Sequence, residues 1–264
     1  LRLRALLTAG AAAAAVAASG CATLSGTRVE RAQTGELVVR VAAPTTFDTL
    51  AESVYGDGSL GHTLAVVSHL PYDGGVPRGT VLVLPERGQL DARLQTARES
   101  DRLFEQGLAA ADRGAFREAA DRFEAALAET PQRIDVRYNL GLALMQSGEL
   151  SRATQLLEQV AEARPDDAES RYAFGTVLRR HRAYVRAYQE FDAALRLDRR
   201  HAKAAFARAR TLEDLQKWDR AERAWRSFLQ EFADDPMADR ARQALEAIPA
   251  EREDGSGAGA AREP

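Results

Sequence analysis

Residues 104–126 read FEQGLAAADRGAFREAADRFEAA. Phe104, Leu108 and Ala111 are spaced four and three apart, Gly114 interrupts, and Phe116, Ala119, Phe123 and Ala126 resume the helical spacing. Such a stretch is two amphipathic helices joined at a residue that tolerates a left-handed backbone. The pattern returns along the chain. Gly107, Gly141 and Gly175 recur at intervals of 34, with Ala209 in the fourth place. Ala119, Ala153, Ala187 and Ala221 keep the same interval, as do Phe123, Leu157, Phe191 and Trp225, and Phe104, Tyr138, Tyr172 and Phe206. Four columns in one register make residues 100–133, 134–167, 168–201 and 202–235 copies of one helix hairpin. The first copy predicts helix A over Ser100–Arg113 and helix B over Phe116–Glu129. Glycine inside a helix costs about 1 kcal/mol relative to alanine, so its recurrence in helix A implies a close approach by helix B. Pro131 and Pro165 break the chain between copies. Copies three and four carry Arg182 and Gln216 where Gly114 and Gly148 stand, lack the matching proline, and are expected to turn less sharply.

A 34-residue period with this internal spacing resembles the tetratricopeptide repeat family. The resemblance implies a mostly α chain: a tetratricopeptide α-solenoid of four helix hairpins over 100–235, closed by a capping helix. Residues 236–249, with Met237, Ala241, Ala244, Leu245 and Ile248 at helical spacing, suit that cap. Residues 250–264, rich in Gly, Ala and charge, read as a disordered tail. Residues 86–99 are polar and serve as a linker or as an extension of the first helix.

In the family, helix A lines a concave groove that takes a protein or peptide partner. Carried over residue by residue, the fifth position of each repeat gives Phe104, Tyr138, Tyr172 and Phe206. The ninth gives Leu108, Leu142, Thr176 and Arg210, and the twelfth and thirteenth add Met145, Arg179 and Arg180. A partner segment with an apolar part and an acidic part would complement them. The ring column serves either the partner or stacking between repeats, and the run Arg179 to Arg182 either the partner or a solvated turn. A clamp for a peptide's terminal carboxylate needs Lys and Asn where Asp101, Phe104, Glu105 and Leu108 stand, which speaks against that subtype.

Upstream, Arg2 and Arg4 precede a stretch from Ala5 to Ala18 that is nearly all Ala, Leu and Val and ends in Ala18-Ser19-Gly20-Cys21. The run is short for a membrane span and fits a signal-peptide core. Its end resembles the lipobox of bacterial lipoproteins, in which the cysteine, here Cys21, is acylated. The resemblance implies a signal peptide over 1–20, a membrane lipid anchor, and a polar tether over 21–35. Ala22, where Asp signals inner-membrane retention in that family, points to the outer membrane, facing the periplasm. A plain secretory signal followed by a free thiol is the alternative.

Between anchor and repeats, Glu36–Val41 and Thr80–Leu84 read as strands, with helical spacing at Leu50 and Val54 and again at Leu60, Leu64 and Val67. The order strand, helix, helix, strand over 36–85, with Asp48-Thr49-Leu50, Tyr55-Gly56-Asp57 and Pro77-Arg78-Gly79 before Leu82-Val83-Leu84-Pro85, resembles a LysM domain. That implies a small α+β module binding N-acetylglucosamine glycans such as peptidoglycan between two loops. The loops fall at Pro44–Asp48 and His69–Tyr72, making Phe47, Asp48, His69 and Tyr72 the glycan candidates. Phe47 replaces the family's usual glycine, and Ser68-His69 its usual asparagine.

Composition narrows the function classes. The 264 residues carry 36 basic and 39 acidic side chains. Without Arg2 and Arg4 the balance is 34 to 39, a charge of −5. That gives no general attraction to nucleic acid. One cysteine and four scattered histidines offer no ligand spacing for a metal, and no phosphate-binding, hydrolase or dinucleotide motif occurs. The expectation is no enzyme, no cofactor, no metal and no nucleic acid: a lipid-anchored envelope adaptor, or else a peptidoglycan-binding protein whose repeats are a spacer.

Overall fold

Alternation in Leu37-Val38-Val39-Arg40-Val41 buries Val39 and Val41 and leaves Arg40 exposed, as in a sheet covered on one face. The computed structural model describes residues 22–24, 27–31 and 36–260. Its four strands are β1 (Ala22–Leu24), β2 (Thr27–Arg31), β3 (Leu37–Val41) and β4 (Val81–Leu84). They lie side by side in that order, each antiparallel to the next, with Val39 opposite Val29 and Leu82. The tether reading is corrected here: residues 22–24 and 27–31 add two strands to the sheet. Their pattern is too short to read alone, yet Val29 packs on the module core, which supplies what local propensity lacks. Cys21 lies outside the described residues.

Two helices, α1 (Phe47–Tyr55) and α2 (Gly61–Val67), cover one face of the sheet. Thr46 opens α1 by accepting the Thr49 N–H at 3.2 Å, and Gly56 closes it at φ 69°. Phe47, Leu50, Ala51, Leu64 and Ala65 form one core with Val39, Val41, Leu82 and Leu84. Helix α3 (Leu90–Asp112) begins in this core, where Leu90 is buried, and runs on without a break to pair with α4 (Phe116–Glu129). Most of residues 86–99 are therefore helix extension, and the first repeat grows out of the module.

The chain divides into two units, residues 1–136 and 137–264. The second contains most of α5 (Ile134–Ser147), then α6 (Leu150–Ala163), α7 (Ala168–Arg180), α8 (Tyr184–Leu197), α9 (Ala202–Asp214), α10 (Trp218–Glu231) and α11 (Ala238–Ala260). A Cβ built on Gly141 would stand 2.7 Å from Leu157, and one on Gly175 2.7 Å from Phe191. In the first unit, one on Gly107 would stand 2.4 Å from Phe123. Helices A and B thus meet where the glycine column predicts.

The turns correct one expectation. Arg182 and Gln216 hold φ of 60° and 54°, the left-handed region that Gly114 and Gly148 occupy at 76° and 94°. All four turns also close alike: the N–H of Ala115, Glu149, Ala183 and Lys217 each bonds the carbonyl five residues back, at 2.8–2.9 Å. Packing forces one geometry on four copies, and two of them adopt it without glycine. The cap differs at both ends from the expected 236–249. It starts at Ala238, packs Ala241 and Ile248 with Trp225 and Phe228, and stays helical past Pro249 to Ala260. Ala250-Glu251-Arg252-Glu253, strong helix formers, carry it into the stretch read as a disordered tail.

Candidate functional site

The helix-A face of the second unit is built by the repeat register, which sets residues 31–35 apart in sequence side by side. At one end of α5, α7 and α9, the Tyr138 hydroxyl donates to Glu169 at 3.2 Å, and Glu169 meets His201 Nε2 at 3.2 Å. His201 Nδ1 accepts the Ala204 N–H that opens α9, which leaves the ring proton on Nε2, pointing at Glu169. The Tyr172 ring lies 5.0 Å from the His201 ring. That hydrogen bond holds the Glu169 carboxyl below its ordinary range against the opposing pull of burial, and burial with Glu169 nearby pushes the Tyr138 hydroxyl well up. At the other end Arg180 donates to Gln146 at 3.1 Å and Arg179 to Asp214 at 2.7 Å.

Between these ties lie Leu142 and Thr176, half-buried, and Arg210, exposed. Tyr138 and Tyr172 keep part of their rings accessible, while Arg180 and Gln146 are exposed. The face can therefore offer rings and an aliphatic floor flanked by donors to a peptide. Four candidates are engaged by the fold. Met145 is 5 % exposed and belongs to the interior. Phe206 is 8 % exposed, with Trp225 at 4.8 Å and Phe228 at 5.6 Å edge-on and the Arg240 guanidinium 5.2 Å over its face. Arg179 spends its charge on Asp214, and Arg210 shares Glu213 with the Trp225 indole N–H. Sequence reasoning missed Glu169 and His201. They occupy the second and last positions of a repeat, and the mixed Asp101, Asp135, Glu169, Lys203 column looks like a solvated surface.

In the first unit the glycan candidates separate. Phe47 is 1 % exposed and cannot stack on a sugar; it fills the core instead. Tyr72 is 40 % exposed, and its hydroxyl donates to both oxygens of Asp48 at 2.7 and 2.8 Å, which raises that hydroxyl above its ordinary value. Its ring lies 5.4 Å from that of His62 and 6.5 Å from Phe47. Thr45, in the first of these loops, is also paired with Val76. His69 leaves this group: with φ 52°, it sits 3.7 Å from Asp101 on α3.

Arg133, 9 % exposed, donates to Asp101 at 2.5 Å and to Asp135 at 2.7 Å, and reaches Ser100 at 3.3 Å. Its guanidinium covers Phe104 at 4.9 Å, with Phe123 tilted against the same ring at 5.7 Å. Phe104 thus serves the fold of the first repeat, and Leu108 beside it is half-buried. Among the described residues no cluster of His, Cys, Asp or Glu could hold a metal ion, and no helix is long and apolar enough to cross a membrane.

Comparison with known proteins agrees with this geometry over the repeats. The model of the family described as tetratricopeptide repeat matches residues 110–173, and that of the anaphase-promoting complex, cyclosome, subunit 3, matches residues 153–227. The C-terminal region is a tetratricopeptide-repeat domain, a fold associated with protein–protein interaction. Among solved structures it is similar to a MamA RS-1 double mutant, at 19% identity and TM-score 0.53 over 61% of this chain and 89% of that one. It is also similar to YrrB, described as a TPR protein with an unusual peptide-binding site, at 22% identity and TM-score 0.51 over 58% of this chain and 80% of that one. A third is MamA residues 41 to end from Desulfovibrio magneticus RS-1, at 18% and 0.50 over 56% and 85%. At these identities the likeness shows the fold. No curated protein sequence matches the chain.

Proposed function

We propose that this chain is a lipid-anchored cell-envelope adaptor, acylated at Cys21, held at the outer membrane facing the periplasm, and binding a protein or peptide partner on the helix-A face of its repeats. On this reading it performs no catalysis and needs no cofactor. The observation that carries partner binding is the framed face on α5, α7 and α9, where Tyr138, Leu142, Tyr172 and Thr176 remain partly accessible between two sets of cross-repeat bonds. A surface already fixed in its binding shape loses little entropy on association. The peptide site named for YrrB, on the same fold, supports this reading. The test is a pull-down from envelope extract with Arg180→Glu and Arg210→Glu together, against Arg186→Glu and Arg196→Glu on helix B. The groove pair is expected to cut capture of an acidic partner by about tenfold at low salt and less at high salt. Loss confined to the helix-B pair would place the interface on the opposite face. For the anchor, Cys21→Ser should abolish labelling by a fatty-acid analogue; equal labelling of both forms would refute it.

A second reading is favoured by exposed Tyr72, held over α1 by Asp48: a peptidoglycan-binding protein in which the repeats are a spacer. On this reading Tyr72→Ala weakens co-sedimentation with peptidoglycan about fivefold, the contribution of a stacked ring. No sedimentation by the folded protein would remove it.

A further inference from the structure

The same positions of a repeat meet in the first and third copies. In the first, Arg133 at the last position donates to Asp101 at the second, at 2.5 Å. Its guanidinium lies over the fifth-position ring, Phe104, at 4.9 Å. In the third, His201 meets Glu169 at 3.2 Å, and its ring lies 5.0 Å from Tyr172. The two carboxylates are alike in exposure, 46 % and 51 %. The groups over the rings differ in charge. Arg133 is a cation, which Asp135 shares. His201, with Nδ1 accepting the Ala204 N–H, carries one proton and no charge.

The Tyr138 hydroxyl, the other donor to Glu169, is neutral as well. Each Glu169 oxygen therefore has one neutral donor and room for a second. Lys203, exposed on α9, acts on the carboxylate through its field, and no ion pair among the described residues joins them. Asp167 adds a second anion near Tyr138. The cation that the first repeat supplies from its own chain is thus missing beside Glu169.

We propose that Glu169, with the Tyr138 and Tyr172 rings beside it, is the subsite for a lysine or arginine side chain of the protein partner. The inference rests on the helix-A face being the binding surface, and it gives that face two poles. The other is Arg180, exposed and bonded to the neutral Gln146 carboxamide at 3.1 Å. Glu169 and Arg180 stand three turns apart on α7, hence on one face and about 16 Å from each other. An extended segment rises 3.2–3.4 Å per residue, so its basic and acidic residues are about five positions apart. A carboxylate flanked by rings suits a cation, which gains from both.

Fluorescence anisotropy with the full chain carrying Cys21→Ser tests this. The probe is a labelled peptide with lysine and glutamate about five positions apart and Leu, Val and Thr between them. Two companions replace its lysine by norleucine or its glutamate by glutamine. At low salt the parent is expected to prefer lysine over norleucine, and glutamate over glutamine, by about fivefold each. The lysine preference should vanish in Glu169→Gln. It should vanish also in His201→Arg, which keeps the carboxylate and gives the third repeat the internal cation of the first. The glutamate preference should persist in both variants and vanish in Arg180→Gln. A lysine preference that survives either variant, or is missing from the parent while the glutamate preference remains, would overturn the subsite and leave the groove standing. Absence of binding, or of both preferences, would overturn the subsite and the groove together.

Discussion

Replacing Gly175 by alanine separates the packing of the repeat from its helix propensity, because the two act in opposite directions. In an exposed helix Gly→Ala stabilises by about 1 kcal/mol. Here the new methyl would stand 2.7, 2.8 and 3.2 Å from three carbons of the Phe191 ring. Ordinary contact begins near 3.4 Å, so ring and helix must part by about half an ångström or more. Phe191 is fully buried and 5.9 Å from the Tyr172 ring, which leaves it no free volume to enter. Overpacking of this kind costs about 1–3 kcal/mol and sometimes more. The propensity gain offsets part of it, so the expected net is a loss of up to about 2 kcal/mol, read from urea unfolding followed by circular dichroism. Shrinking the ring partner, Phe191→Leu, should cost stability in the parent but much less when Gly175 is already alanine. A positive coupling in that double-mutant cycle is the signature of the clash. If Gly175→Ala raised stability, helices α7 and α8 would not touch as described, and the reading of the 34-residue glycine column would fail.

Three further outcomes are expected. Arg182→Gly and Gln216→Gly should each stabilise by up to about 1 kcal/mol, because left-handed backbone strains a side chain and leaves glycine free; the same denaturant melts check it, and a loss would mean the side chains hold the turns. Arg133→Met should cost about 1–3 kcal/mol, less than a fully buried pair would, because Asp101 and Asp135 are 46 % and 43 % exposed and can rehydrate; calorimetry of the full chain measures it. Tyr55, whose hydroxyl donates to the Pro85 carbonyl at 2.6 Å, is pushed up by burial to about 12. Its stabilisation is present below the unfolded value of about 10 and lost as pH rises through 12, so the ultraviolet titration step that Tyr55→Phe removes should lie near 12, and a missing step near 10 would contradict the burial.

What was legible in the sequence is what the repeat makes periodic. The columns of Gly107 and Phe123 place both helices of each hairpin, since close packing admits few residues at a contact point and the same choice recurs. The strand and helix order of the module was legible for a similar reason: alternation at Val39 and Val41 and the spacing of Leu64 report which face is covered. Non-periodic features were not. Phe47 and Tyr72 are both rings on predicted loops, and nothing local says that one is core and the other surface. The LysM resemblance places His69 in the loop with Tyr72, but its left-handed backbone turns it to α3. The turns at Arg182 and Gln216 look unlike those at glycine, yet packing across each hairpin imposes one conformation on all four. The Tyr138–Glu169–His201 chain joins two repeats, and reaches the start of a third helix A, through polar residues that, taken singly, suit any solvated helix.

The central claim, that a partner is bound on the helix-A face, is tested most directly by site-specific photo-crosslinking in intact cells. A crosslinking amino acid at Gln146 or Arg180, both exposed on that face, is compared with one at Val185 or Arg196, both exposed on helix B. The expected result is one discrete crosslinked species from 146 and from 180, absent from 185 and 196, and lost when Arg180→Glu is combined with position 146. The same species arising from 185 or 196, with none from the helix-A positions, would contradict the claim.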